Sequence, residues 1–377
     1  MKKSILEKGN VDLKGFIKER DLDKENSLDD LKIRKLQNFP DLLKTNYPSD
    51  KNITERLKKA YTKGTLSIIL GAGISLEHGL PTWNELILET MVYALSRDDI
   101  DNQSIRDFSK LYINCFLQDP LIAARHIEGL IKVKGINFFE FLKERLYDRE
   151  VFNEKSPFYA SIANLCASAR TSKSISSIIT FNFDNLLETY LDKLTIKIPY
   201  KVYGSNSSLK DKVTLPIYHV HGFLPKDNKK TISKDIIFDE RSYHNTYHDA
   251  FHWSNIVQID TYTKNICIFI GLSMNDPNLR RLLDASAKLH KRKKKDFHVV
   301  VLKLPNIEYL LKRYLENENH SPSQASVDFE YIRNLYSKSL NKLYQKAKRI
   351  EMQTLNCDIL FVNDFNEIPN LLREIIT

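Results

Sequence analysis

Cysteine is scarce and scattered. The chain carries four, Cys115, Cys166, Cys267 and Cys357, and none forms a C-x-x-C pair. That spacing excludes a zinc knuckle and a redox dithiol. Dispersed thiols fit a reducing cytoplasm, so a cytoplasmic protein is expected. No window holds about 18 consecutive apolar residues, so no membrane-spanning helix is expected. The start, Met1-Lys2-Lys3-Ser4-Ile5-Leu6-Glu7-Lys8, lacks the apolar stretch of a secretory signal. No internal repeat or long low-complexity tract is visible. What is present is a chain of 377 residues that is 42% hydrophobic, enough for a sizeable core. Its length implies about two domains, or one large domain with insertions.

The charge balance is basic: 57 Lys and Arg stand against 48 Asp and Glu, a net +9. A basic surface attracts nucleic acid, acidic partners or anionic nucleotides. The excess is spread out, with one local run at Lys291-Arg292-Lys293-Lys294-Lys295. The favoured reading is a solvated helix end, where cations are favourable. Nucleic-acid contact is the less favoured reading. It would reveal itself as steeply salt-dependent binding that vanishes when the run is neutralised.

Residues 1–60 are polar and Lys-rich, with short amphipathic pieces such as Leu31-Lys32-Ile33-Arg34-Lys35-Leu36. They read as a helical N-terminal arm. Residues 61–377 read as the main domain. Six short apolar runs predict strands at 66–70, 175–180, 215–220, 266–270, 298–302 and 357–362. Residues 103–170 show helical spacing and no strand, which predicts a helical module inserted at about 100–170. Residues 317–326 read as a polar loop, followed by helices at about 328–350 and 366–375. Alternating strands and helices predict an α/β fold with a Rossmann-like, doubly wound parallel sheet. Ligands in such folds bind outside the carboxyl ends of the strands, so the residues after each strand deserve inspection.

Four strand ends carry polar or glycine-rich motifs. After the first comes Gly71-Ala72-Gly73-Ile74-Ser75-Leu76-Glu77-His78-Gly79-Leu80-Pro81-Thr82-Trp83. Its glycines admit close backbone approach, and a following helix offers N–H groups to a phosphate. It is neither a dehydrogenase fingerprint, which needs glycine at Leu76, nor a P-loop. After the second comes Asn182-Phe183-Asp184, where simple helix capping competes with a site role. The third gives His219-Val220-His221-Gly222, with both histidines expected on one face by alternation. The fourth gives Gly271-Leu272-Ser273-Met274-Asn275-Asp276-Pro277-Asn278-Leu279, which fits a ribose or phosphate contact or a capped helix start.

In that order the four motifs resemble the sirtuin superfamily of NAD-dependent enzymes. The run from Gly79 to Trp83 and the string from Gly271 to Leu279 look most like the sirtuin-like branch of bacterial anti-phage defence proteins. The resemblance covers about residues 60–377. Departures are informative: Thr82-Trp83-Asn84 stands where protein deacylases carry Asp-Phe-Arg, and Phe181 stands where they carry glutamine. Their four-cysteine zinc ribbon is missing.

The resemblance implies cleavage of the nicotinamide–ribose bond of NAD, taken as substrate, with no metal. It implies catalytic roles for Asn182, which positions water or ribose, and His221, the base. It implies NAD contacts at Gly71, Ala72, Gly73, Ser75, Thr82, Trp83, Asp184, Gly271 and Ser273. Asp184 is open between holding the nicotinamide carboxamide and capping its helix. The expected product is ADP-ribose, with NAD depletion as an abortive-infection defence. Control would come from homo-oligomer assembly or a separate partner such as a HerA-type ATPase or an Argonaute. The alternatives are a catalytically silent NAD- or ADP-ribose-binding module, or a deacylase or ADP-ribosyltransferase.

Overall fold

The computed structural model describes residues 47–97, 99–167, 175–205, 214–227, 236–290, 296–317 and 322–376. The basic run at 291–295 and the N-terminal stretch through residue 46 lie outside them. Of the arm expected at residues 1–60, residues 47–60 are described.

Seven strands form one sheet: β1 Leu66–Leu70, β2 Ile175–Thr180, β3 Tyr200–Tyr203, β4 Leu215–His219, β5 Ile266–Ile270, β6 His298–Lys303 and β7 Cys357–Val362. Their order is β3-β4-β2-β1-β5-β6-β7, and every pairing is parallel. The chain starts at the centre, builds outward on one side, then returns to build the other. The crevice between β1 and β5 is therefore the switch point where such sheets hold ligands.

The six expected strands match six of these, within a residue. β3 was not expected. It is a four-residue edge strand, Tyr-Lys-Val-Tyr, paired only with β4. An edge strand need not be apolar on both faces, so it leaves little signal.

The central strands are apolar throughout because both faces are covered. All five residues of β1 are buried. Ile68 and Leu70 join a core with Ile53 and Leu57 of α1, Asp50–Thr62. Ile69 points the other way, into a second core with Val257 and Leu279.

Between β1 and β2 the chain is helical: α2 Trp83–Leu95, α3 Asn102–Phe116, α4 Pro120–Val133, α5 Phe138–Tyr147 and α6 Pro157–Ala167. The starts are encoded locally. Asp101, Asp119 and Asn137 each accept backbone N–H groups of the turn that follows, as N-cap side chains do. Then come α7 Leu186–Lys193, α8 Glu240–His248, α9 Trp253–Lys264 and α10 Pro277–His290. α11 is Ile307–Asn317, α12 Pro322–Thr354 and α13 Ile368–Ile376. α12 begins inside the stretch expected as loop to residue 326, with proline in its first turn, where the missing N–H is tolerated.

The chain divides into two compact units. One comprises residues 46–304 and 348–377 and holds the sheet. The described part of the other is α11 and the part of α12 before residue 348.

The β1 and β5 exits touch backbone to backbone. The Gly73 N–H donates to the Gly271 carbonyl at 3.0 Å. Gly271 has φ +72°, and a Cβ there would lie 2.9 Å from the Gly71 oxygen and from Ile74. Gly271→Ala is therefore expected to destabilise the protein by more than about 1 kcal/mol. A lowered thermal midpoint checks it.

Candidate active site

The four motifs meet at the carboxyl edge of the sheet. β1 does not run directly into a helix, and the helical spacing of residues 83–96 is matched by α2. Two short 3-10 turns, Ala72–Ile74 and Leu76–His78, intervene, and α2 starts only at Trp83. The N–H groups of Gly73, Ile74 and Ser75 are engaged by Gly271, Gly71 and Ala72 carbonyls. The loop thus offers close approach more than open donors; Gly71 is buried, Gly73 half-buried and Ala72 exposed.

Ser75 is buried, and its hydroxyl donates to Asp184 Oδ2 at 2.9 Å. Asn182 Nδ2 donates to the same hydroxyl at 3.1 Å. Leu186 N–H donates to Asp184 Oδ1 at 3.1 Å. So Asp184 does help start α7, as a capping role implies, and also anchors Ser75.

This chain of donors fixes the Asn182 amide. The Ser75 proton goes to Asp184, so Ser75 presents only a lone pair to Asn182, and only an N–H can meet it. Asn182 Oδ1 therefore points away, and it is buried with no hydrogen-bond partner among the described residues. A buried acceptor without a partner is costly and calls for an explanation. Burial pushes the Asp184 carboxyl above its usual range, against the pull of Leu186 N–H and Ser75.

β4 ends at His219, so strand alternation stops there, and the two histidines meet different partners. His219, almost fully buried, contacts the Asn182 carbonyl through Nδ1 at 3.0 Å and Glu188 through Nε2 at 2.8 Å. His221 follows, with Gly222 at φ +107° completing the turn. Its ring lies edge-on to Phe181, 4.7 Å between centroids, and to Tyr243 at 5.7 Å. Its Nε2 is 3.6 Å from Asp276 Oδ2. Burial holds the imidazole below its ordinary pKa, while the Asp276 charge opposes that shift. The Tyr243 hydroxyl donates to the same Asp276 oxygen.

Asp276 closes a strained loop: Gly271 and Met274 both take left-handed backbone, at φ +72° and +60°. Such strain at a non-glycine residue tends to mark functional loops. Asp276 Oδ1 caps α10 by accepting the Leu279 N–H at 2.6 Å, leaving Oδ2 for His221 and Tyr243. Ser273 is exposed on this loop and accepts the Asn275 N–H at 3.4 Å.

Thr82 and Trp83 have local work to do. Thr82 and Glu85 form a capping box at the start of α2. Trp83 packs 4.5 Å from Phe238 and 6.2 Å from Phe183, ring centre to ring centre.

A cavity of about 430 Å³ opens beside the loop; Gly73, Ile74, Gly271, Phe158 and Phe365 are in its wall. Asn182 and His221 are not part of that lining. Among the described residues, no group of three or more His, Cys, Asp or Glu side chains is placed to hold a metal ion. No described helix is long and apolar enough to cross a membrane.

Sequence reasoning left out His219, Glu188, Asp276 and Tyr243. The first three sit inside the motif strings or their flanks, but their pairings depend on long-range packing. Tyr243 carried no signal at all.

Comparison with known proteins bears on this edge of the sheet. A SIR2-like domain model matches residues 176–323, a span that includes Asn182, Asp184, His221, Gly271 and Ser273 and excludes the Gly71–Trp83 loop. The chain is 23% identical over 327 residues to the NAD(+) hydrolase ThsA of Enterococcus faecium, and 24% over 331 residues to that of Acinetobacter baumannii (strain 532279). It is 21% identical over 339 residues to that of Bacillus cereus (strain MSX-D12). Each match covers 86% of this chain but only 58%, 56% and 57% of the respective relative. The chain thus spans little more than half the length of these curated relatives. The segment 176–323, which carries three of the four strand-end motifs, is thus similar to a SIR2-like domain.

Proposed function

We propose that the domain hydrolyses NAD at the nicotinamide–ribose bond, giving nicotinamide and ADP-ribose. One observation carries this reading: Asn182 holds a buried amide oxygen in a fixed direction with no partner among the described residues. Similarity to three NAD(+) hydrolases supports it.

The chemistry asks little in the way of proton donors. Nicotinamide leaves a cationic pyridinium as a neutral molecule, so no general acid is needed at the leaving group. What is required is a held substrate, a placed water and relief of positive charge building at the ribose carbon. Asn182 Oδ1 accepts a proton of that water and aims its lone pair. His221, kept neutral by burial, accepts a proton from a ribose hydroxyl or the water. Gly71, Ala72, Gly73, Gly271 and Ser273 line the path of the pyrophosphate and adenosine half. The adjoining cavity of about 430 Å³ supplies room for that half. Ser75 and Asp184 act through Asn182, since their polar atoms face each other and the Asn182 amide. Trp83 and Thr82 shape the wall on the nicotinamide side.

The reaction serves as an anti-phage effector in this reading, and an NAD-depleting activity then needs control. Self-assembly or a separate partner, such as a HerA-type ATPase or an Argonaute, would provide it. Exposed Phe108, Leu111 and Phe116 on α3 are consistent with a covered surface.

Solvent labelling tests the reaction. Incubated with NAD in ¹⁸O-water, the protein is expected to release nicotinamide and ADP-ribose carrying one labelled oxygen. Unlabelled cyclic product would replace hydrolysis by cyclisation, and absence of nicotinamide release in the assembled or partnered protein would overturn the reading.

Asp184→Asn provides a second prediction. An amide facing Ser75 with its NH₂ takes the lone pair that now receives Asn182. The Asn182 amide then turns over and withdraws its free oxygen, so turnover falls by about 10- to 100-fold with Asn182 intact. Stability should move the other way. A carboxyl raised by burial costs nothing below the ordinary carboxylate pKa, and its penalty grows as pH rises through the folded value. The thermal midpoint of Asp184→Asn relative to wild type is therefore expected to rise with pH.

A further inference from the structure

The histidine that the proposed chemistry leaves unused is more deeply buried than the one it uses. His219 and Glu188 are both about 1% exposed. Their contact, 2.8 Å between Nε2 and Oε1, is a buried polar pair. The other Glu188 oxygen is buried with no partner among the described residues. Burying such a polar pair carries a desolvation cost that its mutual attraction need not return. Residues of that character call for a role beyond filling space.

The hydrogen-bond inventory gives the role. The Asn182 carbonyl can only accept, so His219 Nδ1 must carry a proton and donate to it. A second proton lies between Nε2 and Glu188, on one or the other. Glu188 thereby locks the ring in the orientation and tautomer that keep Nδ1–H on Asn182. Asn182 is thus held at three points. Its carbonyl is held by His219, its N–H by the Thr180 hydroxyl at 3.1 Å, and its side-chain amide by Ser75 at 3.1 Å.

We infer that His219 and Glu188 are positioning residues for Asn182: the dyad pins the Asn182 backbone and so sets where the free amide oxygen points. The inference rests on the reading of Asn182 as the group that aims the attacking water. Phe223, 4.3 Å from the His219 ring by centroids, packs against the imidazole and limits its rotation.

The test is a double-mutant cycle on NAD turnover with purified full-length chain, together with calorimetric NAD binding. His219→Leu should lower kcat by about 10- to 100-fold through misplacement of Asn182, with KM for NAD within about twofold, since ground-state binding is untouched. His219→Asn puts an amide N–H where Nδ1–H stood and should recover much of the rate. Glu188→Gln donates to Nε2 of a neutral ring that still donates from Nδ1, and should retain most activity, whereas Glu188→Leu should not. In an Asn182→Ala background, His219→Leu should add no further loss. An equal loss in both backgrounds, or failure of both conservative variants to recover activity while folded by circular dichroism, would overturn the positioning role. Wild-type turnover in Asn182→Ala itself would instead overturn the reading of Asn182, so the two failures are distinguishable. If His219→Leu fails to fold, the Glu188→Gln and Glu188→Leu pair carries the comparison alone.

Discussion

Asn182→Ala is expected to lower NAD hydrolysis by about 100-fold or more, while NAD still binds. On the proposed mechanism, removing the amide takes away the acceptor that aims the water, and its two polar neighbours do not replace it. Ser75 Oγ is engaged with Asp184, and the Asn182 carbonyl is engaged with His219. The loss should appear in kcat rather than KM, because a water-aiming group acts in the transition state. Folding should be little changed. The deleted Nδ2 contact to Ser75 is one hydrogen bond, and its removal also deletes the buried unpaired Oδ1. A thermal midpoint close to wild type, beside a collapsed kcat, is the expected pair of results.

His221→Ala is expected to cost a similar factor, about 100-fold or more, the usual scale for a lost proton acceptor. Here the pH dependence makes the prediction sharper. Burial lowers the His221 pKa from its ordinary 6.5, with Asp276 pulling the other way. The imidazole is neutral, and able to accept a proton, at every pH above that lowered value. So kcat/KM should be level across neutrality and fall only on an acid limb below pH 6.5. Asp276→Asn removes the opposing charge yet keeps an oxygen to accept the Leu279 N–H that starts α10. The acid limb should then move to still lower pH. A limb that moved upward in Asp276→Asn would mean that another group carries the proton. In His221→Ala the limb should disappear from the residual rate.

How much of this was legible beforehand follows physical lines. Strands buried on both faces announce themselves as apolar runs, and β1, β2, β5, β6 and β7 were readable for that reason. β3 was not, because Lys201 and two tyrosines on a sheet edge resemble a loop. Helix starts were encoded by single side chains such as Asp119 before Pro120. The 3-10 turns after β1 were not foreseen, since glycines there suit a helix N-terminus as well as a tight turn. The structure explains those glycines by the Gly71–Gly271 contact, a meeting of segments 200 residues apart in sequence. Asn182, Asp184 and His221 could be singled out because strand ends in such sheets are where ligands sit. The His219–Glu188 pair was not, because alternation grouped His219 with His221. The strand ends at His219, two residues before His221, so alternation does not extend to His221. Asp276 looked like a helix cap and is one; its second oxygen becomes meaningful only once β4 and β5 lie in register around β2 and β1.

The central claim is that this edge of the sheet breaks the nicotinamide–ribose bond with Asn182 and His221. The most direct measurement is NAD consumption by the purified chain, with products resolved by chromatography, beside Asn182→Ala and His221→Ala. Equal amounts of nicotinamide and ADP-ribose from wild type, with both lost in the two variants although they remain folded and bind NAD, is the result expected. Undiminished turnover in either folded variant would contradict it.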